Sequence, residues 1–465
     1  MITWVIALFA CYIALLVLAS LKSYKRGRDS QEFMLAGSNL GIILGFLTFS
    51  AALFSAFTFQ GMPDFFRQHG IGAWIFLAFS DGVMVFFILW FGLMIRRKAK
   101  KLGFKGVAGL MSNSFGTPWA GYAMFASAFV FLIPYAAIQI RGISVFFDAA
   151  FPDFLPYWGW ALILVVLMIF YSEIGGFKAI VYSDAIQGTI LLVVLWLISV
   201  TCIVKLGGLA GMMQQVRDVD PKLLSIPGPN GLFTPQFLIA SMIAVVMIPV
   251  SQPHMTTRLV VMRNLKSLKT MSVAVGSFAV VIILATVFIG LYGAVRYQSA
   301  TAQEFWANAL LYDQFAPVAG LAVVGLFAAC LSTTNAQIFA LGNELRSLLS
   351  GSEKKVMHLT KLALFAFAIL VLVFSAVMGD QLALLARVSF TGTSMMAPIV
   401  LCAVTLKNPG REIIVISAVG FFVFLGSIAG IVPSKLGVLR IEILLYVYLT
   451  VATLLSIAVR RLTNN

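Results

Sequence analysis

Charge is what this sequence has least of. Of 465 residues only 17 are acidic, and Asp, Glu, Lys and Arg together make up 11% of the chain. A folded chain of this length in water needs far more polar surface, so a soluble globular protein is excluded. Histidine is scarce, and His69, His254 and His358 are scattered, so no histidine metal site is suggested. The four cysteines (Cys11, Cys202, Cys330 and Cys402) all lie in apolar runs without metal-ligand spacing. They read as reduced packing residues. A Gly-rich phosphate loop, an activated Ser or Cys, and a carboxylate pair at catalytic spacing are all missing, so the chain reads as a non-enzyme. The strand-like alternation of an outer-membrane barrel is missing too.

What fills the chain is apolar: 61% of residues are hydrophobic and the mean hydropathy is +1.01. Stretches of about 20 apolar residues, the length that crosses hydrocarbon as a helix, recur from end to end. The expected fold class is an all-α polytopic membrane protein with thirteen spans: 2–21, 42–63, 71–95, 119–147, 157–172, 179–204, 234–254, 271–295, 315–345, 358–378, 382–405, 412–431 and 440–459. The run 2–21 is too long for a signal peptide core and lacks a small-residue cleavage site, so it reads as a retained helix. The longest connections, 205–233 and 296–314, are too short to bury a core, so 1–465 reads as one transmembrane unit.

The net charge of +15 invites a nucleic-acid partner, but the positive charges collect at helix ends. On one side of the expected topology stand 23 Lys and Arg, on the other 7, and Arg141 and Arg387 fall within spans. The asymmetry predicts a multi-pass protein of the plasma (inner) membrane, with the first set cytoplasmic, the N-terminus outside and the C-terminus inside. An odd number of spans requires the same. The partners implied are lipid and a small molecule, and the oligomeric state is not specified.

Polar residues inside apolar spans are expensive and mark a pathway or binding site by default. In LTFSAALFSAFTFQGMP (47–63), Thr48, Ser50, Ser55, Thr58 and Gln60 punctuate one helix; they either line a site or back-bond within the helix. In GLFAACLSTTNAQ (325–337), Ser332, Thr333, Thr334 and Asn335 are consecutive. Four such side chains do not all face lipid, and a hydroxyl pair beside freed carbonyls suits a hard monovalent cation. In VMIPVSQPHMTTR (246–258), Pro249 and Pro253 each remove a backbone donor, which is tolerated at membrane depth only where the freed groups line a cavity or are buried. Arg141 in AAIQIRGISVFF (136–147) needs an anion or an ion-pair partner such as Asp148 or Asp64. In YSEIGGFKAIVYSDAIQ (171–187), Glu173 sits at a water boundary. Asp184 reads either as a helix N-cap that leaves 185–205 as the span or as a functional intramembrane acid.

Several of these segments, taken in order, resemble the sodium:solute symporter family. GGFKAIVYSDAIQG (175–188) resembles its signature, QPHMTTRLVVMRNLKSLK (252–269) the Q-P-H-x-x-x-R segment after core helix 6, and AACLSTTNAQ (328–337) the A-x-x-S-T/S segment of core helix 8. AGSNLG (36–41) is similar to the segment that opens core helix 1, and VSFTGTSMMAP (388–398) to core helix 10. The resemblance spans about 30–405 and implies the LeuT-type architecture of two inverted five-helix repeats. These would be 42–204 and 234–405, with 2–21 as an extra N-terminal helix and 412–459 holding two C-terminal ones. It also implies a sodium site made of the carbonyls of Ala51, Phe54 and Ala329 and the hydroxyls of Ser332 and Thr333. A possible second sodium site or exit path would use Asp184 and Asn335, although Ala336 supplies no oxygen there. The proline branch has an acid where this chain has Leu53, and proline and sugar branches have Tyr where it has Pro249, so neither substrate is favoured. Arg141 faces the usual substrate region, and a guanidinium suits a carboxylate.

The function expected is a sodium-coupled (Na+) symporter that imports a small, carboxylate-bearing organic solute, a monocarboxylate or amino acid, by alternating access. The expected substrate contacts are Arg141, Gln139, Thr58, Gln60 and Pro249. Two rival readings are a symporter-like sensory module for a partner kinase and a proton-coupled transporter in which Asp184 or Glu173 titrates.

Overall fold

A computed structural model describes residues 2–23, 39–174 and 176–463. With no water in hydrocarbon to satisfy backbone groups, apolar spans close their hydrogen bonds internally as helices, and nearly every element here is one. In chain order they are α1 (Ile2–Ser23), α2 (Ile42–Leu53), α3 (Met62–His69), α4 (Ser80–Leu102), α5 (Val107–Phe115), α6 (Pro118–Ala150) and α7 (Tyr157–Ile174). There follow α8 (Gly176–Lys205), α9 (Gly208–Val219), α10 (Pro235–Val246), α11 (Ile248–Ser251), α12 (Pro253–Val260) and α13 (Leu265–Arg296). The rest are α14 (Ala302–Ala307), α15 (Ala316–Leu348), α16 (Glu353–Val377), α17 (Leu382–Ser394), α18 (Ala397–Thr405), α19 (Glu412–Ile428) and α20 (Ile441–Thr463). Wide-turn segments at Phe57–Gly61 and Ile75–Phe79 run into α3 and α4. Lys435–Leu436 and Leu439–Arg440 pair as a short antiparallel hairpin before α20.

Among the described residues, seven helices are long and apolar enough to cross a membrane, and the bent pairs α2–α3 (60°) and α17–α18 (44°) raise the number to nine. The other four expected spans fall on shorter apolar helices, at Ile2–Leu18, Tyr157–Leu167, Pro235–Val246 and Glu412–Ile428. Length and composition therefore establish a multi-pass membrane protein, and the figure of thirteen spans stays an expectation. The start of AGSNLG (36–38) and Gly175 lie outside the described residues.

The bundle is organised around α15, whose apolar window is 78% buried against 28% for α16 and α20. It packs on α8, α6 and α1, while α2 packs on α8 and α13. Besides the bent pair α17–α18, two further spans among the described residues are interrupted within the core. The span 235–260 breaks at Met247 and again at Gln252, each just ahead of a proline in the first turn of the next helix. Proline is tolerated there because those amides have no intrahelical partner, and Gln252 takes the extended backbone (ψ 114°) that a pre-proline residue prefers. The span 42–69 breaks at Phe54–Ser55 with neither Gly nor Pro present.

The two interrupted helices are tied together at the end of the bundle that carries the basic loops. Leu40 pairs with the strand-like turn after α12: its amide donates to the Val261 carbonyl at 3.1 Å, and the Arg263 amide donates to the Leu40 carbonyl at 2.8 Å. Arg96 of α4 donates to the carbonyls of Val260 (3.0 Å), Leu259 (3.3 Å) and Met262, neutralising the open C-terminus of α12.

At the other end α13 lies so close to α3 that a Cβ on Gly290 would stand 2.5 Å from the Phe66 Cβ and 2.6 Å from the Pro63 carbonyl oxygen. Gly290→Ala is predicted to destabilise the protein by about 1–3 kcal/mol through overpacking, read as a lower thermal midpoint in detergent. Gly82→Ala, where the added atom meets nothing within 4 Å, should leave the midpoint unchanged.

Candidate functional site

The break in 42–69 leaves backbone carbonyls without their usual donors. In an unbroken helix the Ser55 amide would bond the Ala51 carbonyl. Instead it turns to Thr58 Oγ1 at 3.3 Å. The Ala56 amide donates to Gln139 Oε1 (3.0 Å) and the Phe57 amide to Ser55 Oγ (3.3 Å). The Leu53 carbonyl accepts the Tyr135 hydroxyl at 3.1 Å. Gln139 completes the stitch by donating from Nε2 to Ser55 Oγ and to the Tyr135 carbonyl, both at 3.1 Å. Side chains of α6 thus replace the lost ladder, and the Ala51 carbonyl is left for another partner.

Ser332 Oγ and Thr333 Oγ1 of α15 each lie 3.4 Å from that carbonyl oxygen. Ser332 has one hydroxyl proton, and at 2.6 Å from Asp184 Oδ1 that proton is committed to the carboxylate. Ser332 therefore faces Ala51 with a lone pair, oxygen to oxygen. Ions of sodium's size take oxygen ligands at about 2.3–2.6 Å, as calcium does, so two ligands at right angles on one ion stand about 3.3–3.7 Å apart. The measured spacing falls in that range. Ala329 lies one turn before Thr333 on the same face of α15, and Phe54 is the extended residue that ends α2 (ψ 128°).

Asp184 lies two turns inside α8, which starts at Gly176. This corrects the N-cap reading, while the membrane span within this helix, Ile180–Lys205, agrees with the expected 179–204. Its carboxylate is fully buried and takes three donors: Ser332 Oγ on Oδ1, and Thr48 Oγ1 (2.5 Å) and Arg258 Nη2 (2.8 Å) on Oδ2. Arg258, counted with a basic loop from its sequence position, is instead a 1% exposed residue of α12. Its Nε donates to the Thr48 carbonyl and to Thr48 Oγ1, both at 3.0 Å, and its Nη1 donates to the His254 carbonyl at 2.8 Å. One guanidinium thus joins α2, α8 and α12, and through the carboxylate reaches α15. Asn335 makes no hydrogen bond to Asp184, and both of its amide atoms are buried without a protein partner. The side chain of Glu173 is not described.

The residues expected to meet substrate are placed otherwise. Arg141 Nε donates to Asp380 Oδ1 at 2.6 Å in a half-buried pair (14% and 28% side-chain exposure), and Gln303 Nε2 holds the second carboxylate oxygen at 3.2 Å. The anion expected from a substrate is supplied by Asp380, 239 residues away in sequence, and neither Asp148 nor Asp64 is the partner. Asp64 is bonded to Arg67 instead (2.7 Å). Gln139 and Thr58 hold the helix break, Gln60 donates to the Gly142 carbonyl (3.1 Å), and the Pro249 carbonyl accepts Thr256 Oγ1 (2.7 Å).

Three buried acids were not singled out from the sequence. Glu442 of α20 pairs at 2.9 Å with Arg387 of α17, whose place within a span was noted. Glu344 of α15 accepts the first two amides of α5, from Val107 (2.9 Å) and Ala108 (2.5 Å), in the manner of a cap. Asp81 stands in the first turn of α4, facing the helix break. Each sits in an apolar window, and that alone is the signal that marks an intramembrane acid or base.

The sodium:solute symporter family model matches residues 33–411. The high-affinity proline transporter PutP of Bacillus subtilis (strain 168) is 24% identical over 404 residues, covering 83% of this chain and 84% of that protein. The sodium/pantothenate symporter of Haemophilus influenzae is 25% identical over 316 residues, covering 65% and 62%. Among solved structures, a Na+-coupled sialic acid symporter in a substrate-bound outward-open state superposes with a TM-score of 0.79 at 16% identity over 97% of this chain and 96% of its own. That likeness shows a shared fold.

Removing one member of a buried ion pair costs about 3–5 kcal/mol, because the other charge is left unmatched. Arg258→Met should therefore lower the thermal midpoint sharply, and Arg258→Met with Asp184→Asn should recover most of the loss. A double variant no more stable than the single one would show that the pair is not coupled.

Proposed function

Because the chain belongs to the sodium:solute symporter family, we propose that it is a sodium-coupled symporter that carries a small organic solute into the cell by alternating access. On this reading it lies in the plasma membrane with its basic end in the cytoplasm and its N-terminus outside. The two repeats are 42–204 and 234–405, each opened by an interrupted helix. Sodium is held by the carbonyls of Ala51, Phe54 and Ala329 and by the hydroxyls of Ser332 and Thr333. The observation that carries this is the approach of two hydroxyls to the unladdered Ala51 carbonyl, beside a carboxylate that takes the Ser332 proton.

The reading also gives Arg258 a task. Its bonds to Thr48 and Asp184 clamp α12 to α2 and α8 at the basic end. Opening that end requires α12 to leave, and Asp184 then faces the ion path with its charge released. Buried polar atoms without protein partners at Asn335, Gln337, Gln252 and His254 stand on α15 and around the break before α12. Orphaned groups of this kind cost about 1–3 kcal/mol each when they stay dry, and a state that lets water reach them repays this. Sodium drives the cycle through its different affinity for the two states.

Of the expected solutes, a monocarboxylate or amino acid, neither finds its anchor in Arg141. A solute carboxylate would have to meet the bound sodium or the ends of the broken helix. Purified protein in proteoliposomes tests the reading with labelled proline and pantothenate, the solutes of two relatives, and with a wider amino-acid and organic-acid mixture. Replacing external sodium by choline at fixed pH should abolish accumulation. Unchanged accumulation favours protons, and sodium-dependent binding without accumulation favours a sensory role.

Ser332→Ala and Thr333→Ala are each predicted to raise the sodium concentration for half-maximal thermal stabilisation at least tenfold, about 1.4 kcal/mol. Wild-type sodium dependence in both variants would remove the site.

A further inference from the structure

Asp81 is the second carboxylate near the broken helices, and it differs from Asp184 in having nothing to satisfy it. It is 5% exposed, and among the described residues no hydrogen-bond or ion-pair partner reaches it. It lines a cavity bounded by Leu53, Phe54 and Phe57 at the break, Leu77 ahead of α4, Ile248 of α11 and Phe390 of α17. About 20 Å³ of that cavity is open to the centre of a water molecule, roughly room for one water. Anything larger needs the side chains that line it to move apart. The cavity adjoins the ion site directly, since Leu53 and Phe54 belong to the stretch whose backbone supplies Ala51.

A buried carboxylate with no partner is costly in its charged form, and it is neutralised either by a proton or by a cation. The surrounding side chains bring no cation. They also exclude a bare metal ion at this spot, because a hard cation needs several oxygens and every other lining side chain here is hydrocarbon or, at Met62, thioether. What fits one carboxylate in a cup of aliphatic and aromatic side chains is an organic cation. Its ammonium pairs with the carboxylate and lies against phenyl faces, while its apolar body fills the rest.

We propose that Asp81 is the counter-charge for a protonated amine on the transported solute, bound in this cavity beside the helix break. The proposal rests on the symporter reading for the word transported, and it narrows the solute class to amines and amino acids, excluding a plain monocarboxylate. Arg141, tied to Asp380, takes no part in it.

The test uses full-length protein in detergent with sodium present, and thermal stabilisation by three matched sets of probes. The first set is alanine, ethylamine and propanoate. The second is leucine, isopentylamine and 4-methylpentanoate. The third is proline, pyrrolidine and cyclopentanecarboxylate. At least one amino acid or amine should stabilise the wild type while its amine-free carboxylate does not. Asp81→Asn, isosteric and uncharged, should weaken that response at least tenfold and keep the sodium-induced shift, which reports an intact fold. Asp81→Glu should retain part of the amine response.

Stabilisation by the carboxylates alone overturns the proposal, as does an amine response that survives in Asp81→Asn, the result expected if Asp81 is only a proton site. A panel in which no amine or amino acid shifts the wild type also overturns it. Loss of the sodium shift in the wild type would instead defeat the symporter reading, so the two failures are told apart.

Discussion

One buried carboxylate sets the terms for the rest of the molecule. Asp184 has no water to neutralise it, and taking such an ion out of water is costly unless geometry and hydrogen bonds make good the loss. Thr48, Ser332 and Arg258 do so from three different helices. Because each donor is committed, each helix is positioned: α2 must bring Thr48 to the carboxylate, α12 must deliver a guanidinium, and α15 must turn its hydroxyl face inward. The opposed lone pairs of Ser332 and Ala51 follow from this, since the carboxylate consumes the one proton that would otherwise lie between them.

The two acids beside the break divide the electrostatics. Asp184 is matched by an arginine of the protein itself, so the pair is neutral, and a sodium ion held at the proposed site would add a full positive charge. Asp81 is unmatched, so the cavity it lines is negative only when that acid is ionised, as pairing with a cation favours. With sodium bound and Asp81 ionised as proposed, the two would attract complementary parts of a zwitterion, and each charge would make the other less costly to hold in a low-dielectric interior. Attraction of this kind links occupancy of the ion site to occupancy of the cavity without any contact between the two ligands.

The architecture was legible in the sequence because hydrocarbon imposes a simple rule on chain length and composition, and the apolar runs obey it. The interruption at 247–252 was legible for a local reason, the two prolines. The interruption at 54–55 was not, because no residue there forbids helix. It is made by Gln139 and Tyr135, more than 80 positions along the chain, and only resemblance pointed to it. Arg141 misled for the same reason, since a lone intramembrane guanidinium looks available until the fold brings Asp380 to it. Arg258 was hidden by its neighbours: a run of basic residues reads as a solvated loop, and nothing local says that one of them points inward. Asp81 was passed over although it lies ten residues inside the expected span 71–95, where a lone acid is the same signal that singled out Asp184.

The Glu344 carboxylate, seated on the opening amides of α5, fastens that short helix to α15 by a buried charge. A tilt of α15 that separates Ser332 from Ala51 leaves the two elements a choice. Either α5 swings along as a lever, or an acid and two amides are torn apart and must be rewetted. Both alternatives disturb the loop just ahead of α5, where Gly103 and Phe104 border Arg96, Arg97 and Lys100. The basic rim at that loop would thereby register, mechanically, a movement that begins at the helix break.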